Sequence, residues 1–307
     1  MTAARLLWQL AALGVLLVAA PLILGIARKT RAILTGRRGP RVWQLYADLR
    51  KLSLKGAVYS ITTTEVFRLT PLVVLATTLL ASTLLPLNGQ RALLSFAGDF
   101  AAFAGLLALG RFFMVLGALD TGSSFEGMGA SRDVTFASLV EPGLFVTFVA
   151  LSVAGGALSL SGMLGAELWL RWGAVAPTMV LLAGSIFVLM LAECARVPVD
   201  DPATHLELTM VHEVMLLDTS GPDLALVLYA HAVKLSLFAA IIVDILVPRS
   251  TLPPWSAIAL LGAGIIGVGI LVGVVESTMA RLRLSKVPLF IASGSALGLF
   301  GLILLLR

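Results

Sequence analysis

Eight apolar runs divide the chain, at about residues 6–27, 66–87, 98–119, 141–162, 174–195, 224–247, 255–276 and 288–306. Each is close to the ~20 residues that carry a helix across the hydrocarbon core of a bilayer. A segment in lipid must satisfy its own backbone hydrogen bonds, and a helix of this length does so. The runs therefore predict an all-α integral membrane protein, a single polytopic membrane domain over 1–307. About eight transmembrane helices are expected, plus a cytoplasmic amphipathic helix after the first. A mean hydropathy of +1.01 with 13% charged residues excludes a soluble domain. The one cysteine excludes an internal disulfide and argues against an iron–sulfur cluster held by this chain alone. A cleaved leader, with Ala19-Ala20 as a processing site, is the rival reading of the first run. That run is long, is preceded only by Arg5 and is followed by strong positive charge, so a retained helix is expected.

The net charge of +5 is a topology signal. Nine Lys or Arg lie between Arg28 and Lys55, and Arg132, Arg196, Arg281, Arg283 and Lys286 fall on the same side of an eight-span chain. The other side holds Arg5, Arg91, Arg171, Arg249 and Arg307. Both termini are thus expected outside, with the loop after the fifth run on the cytoplasmic side. The basic residues lack interleaved aromatics, so a lipid membrane and not nucleic acid is the expected partner. In the stretch VWQLYADLRKLSLKGAVY, Val42, Leu45, Leu49 and Leu52 recur at helical spacing while Arg50, Lys51 and Lys55 take other faces. Two readings stand: an interfacial helix drawn to anionic lipid, or a helix that docks a soluble partner or lines an entrance for a lipid-borne substrate.

The polar stretch 193–221 departs most from this background. It carries Glu193, Arg196, Asp200, Asp201, His205, Glu207, His212, Glu213 and Asp218. Ionisable groups in or beside a bilayer are costly and usually mark function. Further charges lie in or at the ends of apolar runs: Asp99, Arg111, Asp120, Glu141, His231, Lys234, Asp244 and Glu276. His231 and Lys234 are three apart, on one helix face. For any single group, an ion pair that fixes packing and a proton relay are equally good readings. The series of acids from Glu141 and Glu193 to Glu213 favours a relay. The Gly/Ser-rich segment DTGSSFEGMGASRDVTFASLVEP reads as an irregular, closely packed loop in which Arg132 and Asp133 form a local pair. His205 and His212, seven apart, stand about 10 Å apart by helical rise, so no metal site is expected. No phosphate loop or nucleophile motif stands out.

ECARVPVDDPATHLEL resembles the signature loop of the subunit-one family of respiratory complex I, the NADH–quinone oxidoreductase, through Glu193, Arg196, Pro198, Asp200, Pro202 and Glu207, with Glu213 on a later acid of the pattern. VPVDDPATHLELTMVHEVMLLDTSGPDLAL, DTGSSFEGMGASRD and ESTMARLRLSKVP look more like the homologous subunit of group 4 [NiFe]-hydrogenases, the formate hydrogenlyase subunit four and hydrogenase-4 component C type. The resemblance implies a coupling subunit in the inner membrane of a prokaryote. It would join a soluble redox arm (hydrogenase-like large and small subunits and a ferredoxin-like Fe–S subunit) to antiporter-like proton-translocating subunits. The NiFe centre and Fe–S clusters would then sit in partners, with no cofactor bound by this chain alone. Glu193, Asp200, Glu207 and Glu213 would form an acidic path that Glu141 continues, and Arg196 would hold the loop by ion pairing. His205 and His212 depart from the complex I pattern, so a quinone-binding subunit of an NADH- or formate-linked dehydrogenase is the alternative. A stand-alone ion-coupled transporter lacks support, since no inverted repeat is evident. A purely structural anchor for the redox arm is a further alternative.

Overall fold

The computed structural model describes residues 3–170, 172–201, 210–247, 249 and 251–307. Among these it is helical, without strands. The helices are α1 (Ala3–Leu34), α2 (Gln44–Ser53), α3 (Glu65–Ser82), α4 (Asp99–Asp120), α5 (Ser124–Gly155), α6 (Leu160–Met163), α7 (Ala166–Leu170), α8 (Trp172–Glu193), α9 (Gly221–Leu246), α10 (Pro254–Thr278) and α11 (Val287–Leu306). Short 3-10 turns cover Glu213–Leu216 and Leu284–Lys286. Helices α1, α3, α4, α5, α8, α9, α10 and α11 are long and apolar enough to cross a membrane.

The bundle is built around α9, which packs on α1, α2, α3, α8 and α10. Every residue from Leu235 to Val243 is buried. A helix that is apolar on all sides belongs in the interior, and here it leaves α1 with α10, α3 with α4, and α11 with α5 and α8 as the outer contacts. Between α3 and α4 the backbones meet closely. A Cβ at Gly110 would stand 2.7 Å from the Thr77 hydroxyl, and one at Gly117 2.6 Å from that of Thr70. Small residues at such crossings replace a hydrophobic driving force with close van der Waals contact.

Three sequence expectations change. The Gly/Ser-rich segment before Glu141 is helical: α5 begins at Ser124 and runs through Pro142 to Gly155, well ahead of the expected start at 141 and short of the expected end at 162. Its 32 residues span about 48 Å by helical rise. The glycine that suggested irregular backbone serves contact instead, because a Cβ at Gly129 would meet Val214 at 2.3 Å and the Val211 carbonyl at 2.9 Å. Arg132 and Asp133 also part company. The Arg132 guanidinium donates to the Met210 carbonyl, whereas Asp133 turns inward toward Arg111. The amphipathic stretch forms α2 over a shorter range than its pattern suggested. Leu45 is buried, Leu49 packs on the core, and the Tyr46 hydroxyl donates to the Val18 carbonyl of α1.

Candidate functional site

Glu193 ends α8, and its carboxylate, 3% exposed, meets two cations from other helices. Lys234 of α9 approaches one oxygen at 2.6 Å, and Arg111 of α4 closes on the other. Arg111 also reaches Glu141 at 2.9 Å and Asp133 at 3.6 Å, both on α5. Glu141 is the outermost of these acids, at 41% exposed. Among the described residues, three carboxylates thus share two cations. Buried charges persist only when paired, and here one carboxylate exceeds what the cations match.

His231 lies one turn before Lys234 on α9 and carries this cluster toward the loop. His212 Nε2 is 2.7 Å from His231 Nε2 and 3.0 Å from its Nδ1. Burial, reinforced by the nearby Lys234 charge, pushes His212 down to about 4, so at neutral pH its ring is uncharged. An uncharged imidazole carries one N–H and one bare nitrogen, so it can accept a proton at one atom and release it from the other. Beyond the pair, Asp200 holds the loop in shape. It accepts the backbone N–H groups of Val211 (3.0 Å), His212 (3.2 Å) and Asp201 (3.0 Å) and pairs with Arg281 at 2.9 Å. Arg196, 4% exposed, forms an ion pair with Glu276 at the end of α10. Asp201 takes both guanidinium nitrogens of Arg31, at 2.9 and 3.0 Å.

Small cavities connect these groups. One of ≈80 Å³ is lined by Arg28, Arg196, Asp200, Glu213, His212 and His231, among others. The next, ≈30 Å³, is shared by His212, His231, Lys234, Glu193, Asp133 and Arg111. A third, ≈10 Å³, joins Arg111, Glu193 and Glu141. The first two exceed the ~10–15 Å³ that one water needs, and the third stands at its lower edge. Cys194 lines the ≈80 Å³ cavity, and burial pushes its thiol up to about 12. It therefore stays protonated, without the thiolate that metal binding or nucleophilic attack needs.

The sequence-derived residues thus divide. Glu141, Glu193, Asp200, Glu213, His212, His231, Lys234, Arg196, Arg111 and Glu276 fall on this one series; Glu207 and His205 lie outside the described residues. Asp99, Asp120 and Asp244 stand apart. Asp99 is buried and accepts the Leu160 N–H at 2.6 Å. Asp120 closes the start of α3 by accepting from Thr64 N–H at 2.7 Å and Phe67 N–H at 3.3 Å. Asp244 is paired with Arg249 near the far end of α9, and Arg249 also donates to the Leu87 carbonyl at 2.7 Å. In the sequence, Asp133 reads only as a partner of Arg132, and Arg28 and Arg31 only as topology charges. Asp133 stands about two helical turns before Glu141, a signal visible only once the helix is extended back to Ser124. Among the described residues no group of three or more His, Cys, Asp or Glu is arranged to hold a metal ion.

A family model described as NADH dehydrogenase matches residues 7–305. The chain belongs to this family, that of the complex I subunit-one proteins. Within the NADH dehydrogenase family it is similar to hydrogenase-4 component C of Escherichia coli (strain K12), 32% identical over 283 residues that cover 90% of this chain and 88% of the relative. It is equally similar to formate hydrogenlyase subunit 4 of the same organism, 32% identical over 280 residues, 89% and 90% of the two chains. The fold is that of a chain in the membrane-bound sulfane sulfur reductase, an archaeal respiratory membrane complex, with a TM-score of 0.80 at 18% identity over 98% of this chain and 99% of that one.

Proposed function

We infer that this chain is the membrane coupling subunit of an energy-converting, complex I-like hydrogenase complex. It links a soluble redox arm to antiporter-like proton-translocating subunits through an acidic proton path. The observation that carries the reading is the series of ionisable groups and small cavities that share lining residues. It runs from Glu276 and Arg196, past Glu213 and Asp200, across the His212–His231 contact to Lys234 and Glu193, and out by Arg111 to Asp133 and Glu141. The two imidazoles relay a proton by exchanging donor and acceptor nitrogens. The carboxylate excess beyond them receives it, and Lys234 and Arg111 keep each intermediate charge state paired. Asp200 and Arg196 fix the loop that presents His212.

The nickel–iron centre and the iron–sulfur clusters belong, on this reading, to hydrogenase-like large and small subunits and a ferredoxin-like subunit. The relatives' names support that assignment. A loop on the cytoplasmic side, with both termini outside, is supported by the gathering of Arg31, Arg196 and Arg281 around Asp201, Glu276 and Asp200 at one end of the bundle.

The test is Glu193→Gln, with Glu141→Gln as the partner variant because its half-exposed carboxylate tolerates neutralisation more readily. Proton uptake into inverted membrane vesicles during turnover is expected to fall about tenfold or more in each, while the complex retains its subunits and nickel on native gels. Variants that assemble and pump at the wild-type rate overturn the path.

A further inference from the structure

A cavity of ≈410 Å³ opens beside the path, at the end of α1, and the proton reading uses only Arg196 and Glu276 of its walls. Its walls are Arg28, Arg31, Ala32 and Thr35 of α1 and its continuation, Arg37, Gly39 and Pro40 of the following turn, and Arg196 with Glu276. The rim is folded back onto α1 by defined contacts. Arg37 N–H donates to the Ala32 carbonyl at 2.7 Å, Lys29 donates to the Arg38 carbonyl at 2.7 Å, and Gly39 takes the left-handed conformation (φ +59°) that the reversal requires. Four arginines line it. Of the carboxylates nearby, Glu276 is taken by Arg196 and Asp201 by Arg31. Arg28 faces the charges of Arg196, Glu213, Glu276 and Asp48 without a hydrogen bond to any of them. The buried Nε of Arg196 likewise lacks a hydrogen-bond partner. Guanidinium donors of Arg28 and Arg196 thus remain unsatisfied among the described residues, in a cavity of ligand size.

We propose that this cavity binds a phosphate group, and that the phosphate is carried by an anionic lipid headgroup or arrives as the free ion. Guanidinium forks match phosphate oxygens bidentately, which compact ammonium groups do not. The apolar faces of Ala32 and Pro40 and the position between two membrane-crossing helices, α1 and α10, suit a headgroup whose chains remain in lipid. The proposal is independent of the proton path, because its readout is binding and not coupling.

The experiment uses the purified complex, delipidated in mild detergent and titrated with dioleoyl phosphatidylglycerol, dioleoyl phosphatidylcholine or inorganic phosphate, with native mass spectrometry as the readout. Preferential retention of phosphatidylglycerol, weakened roughly tenfold or more in Arg37→Gln and Arg28→Gln and unchanged in Arg91→Gln, establishes a lipid site. Arg91 serves as the control because it lies by Gln9 at the opposite end of α1. Binding of inorganic phosphate that the same arginine variants weaken, without lipid retention, supports the site with the free ion as its source. Binding of both probes that is indifferent to Arg28 and Arg37, or a cross-link from Arg37→Cys to an acidic segment of a partner subunit that fills the cavity, overturns it.

Discussion

At the scale of residues, the His212–His231 contact should govern how the proposed path responds to pH. His212 ordinarily titrates near 6.5 and is held down to about 4 in the fold. Between those values the unfolded chain binds a proton that the folded chain refuses, so stability falls as pH drops from 6.5 toward 4 and is insensitive to this group above 6.5. Thermal inactivation midpoints of the solubilised complex, measured from pH 4.5 to 8, are expected to decline on the acid side. His212→Asn, which cannot take the proton, should flatten that decline. A slope identical in wild type and variant would show that His212 is not held neutral. The same substitution removes the only imidazole that meets His231 among the described residues, so proton uptake should fall with it.

At the scale of elements, the long α5 positions the loop. Gly129 lets Val211 and Val214 lie directly on the helix, and this contact fixes the segment that carries His212. A single methyl group is enough to disturb it. Gly129→Ala should cost about 1–3 kcal/mol, as overpacking does, and should reduce coupling by displacing His212. Gly127→Ala, two residues earlier and with space around its Cβ, should be neutral or slightly stabilising, since alanine suits helix better than glycine. Thermal shift and proton-uptake measurements on the two variants separate the contact from a general effect of glycine replacement. Helix α9 shows the complementary case. Its buried core from Leu235 to Val243 gives way at one end to His231 and Lys234 and at the other to Asp244, so one element carries both a site-facing end and a paired, structural end.

At the scale of the whole molecule, the proposed coupling role means that the chain should not function alone. Tagged and extracted in mild detergent, it is expected to bring down hydrogenase-like and antiporter-like subunits together with nickel. Recovery with flavin and NADH-oxidising subunits and no nickel would favour the quinone-linked alternative, and recovery alone with transport activity would remove both. The eight crossings were legible in the sequence because backbone in lipid has few options, and hydropathy reports that constraint over ~20 residues at a time. The polar stretch from Glu193 was legible for the same reason: such groups are costly beside a bilayer and so stand out. Partner choice was not. Glycine and serine between Asp120 and Glu141 look alike whether they loosen a loop or let a helix approach its neighbour, so α5 and the inward turn of Asp133 emerged only from packing. Asp99, Asp120 and Asp244 are as conspicuous in the sequence as Glu193, yet their nearest donors are a backbone N–H, a helix start and Arg249. Local composition sets which groups lie near the membrane. Contacts between residues far apart in the chain, such as Arg111 with Glu193 or His212 with His231, are decided when the helices pack, because only then does each buried charge find the group that balances it.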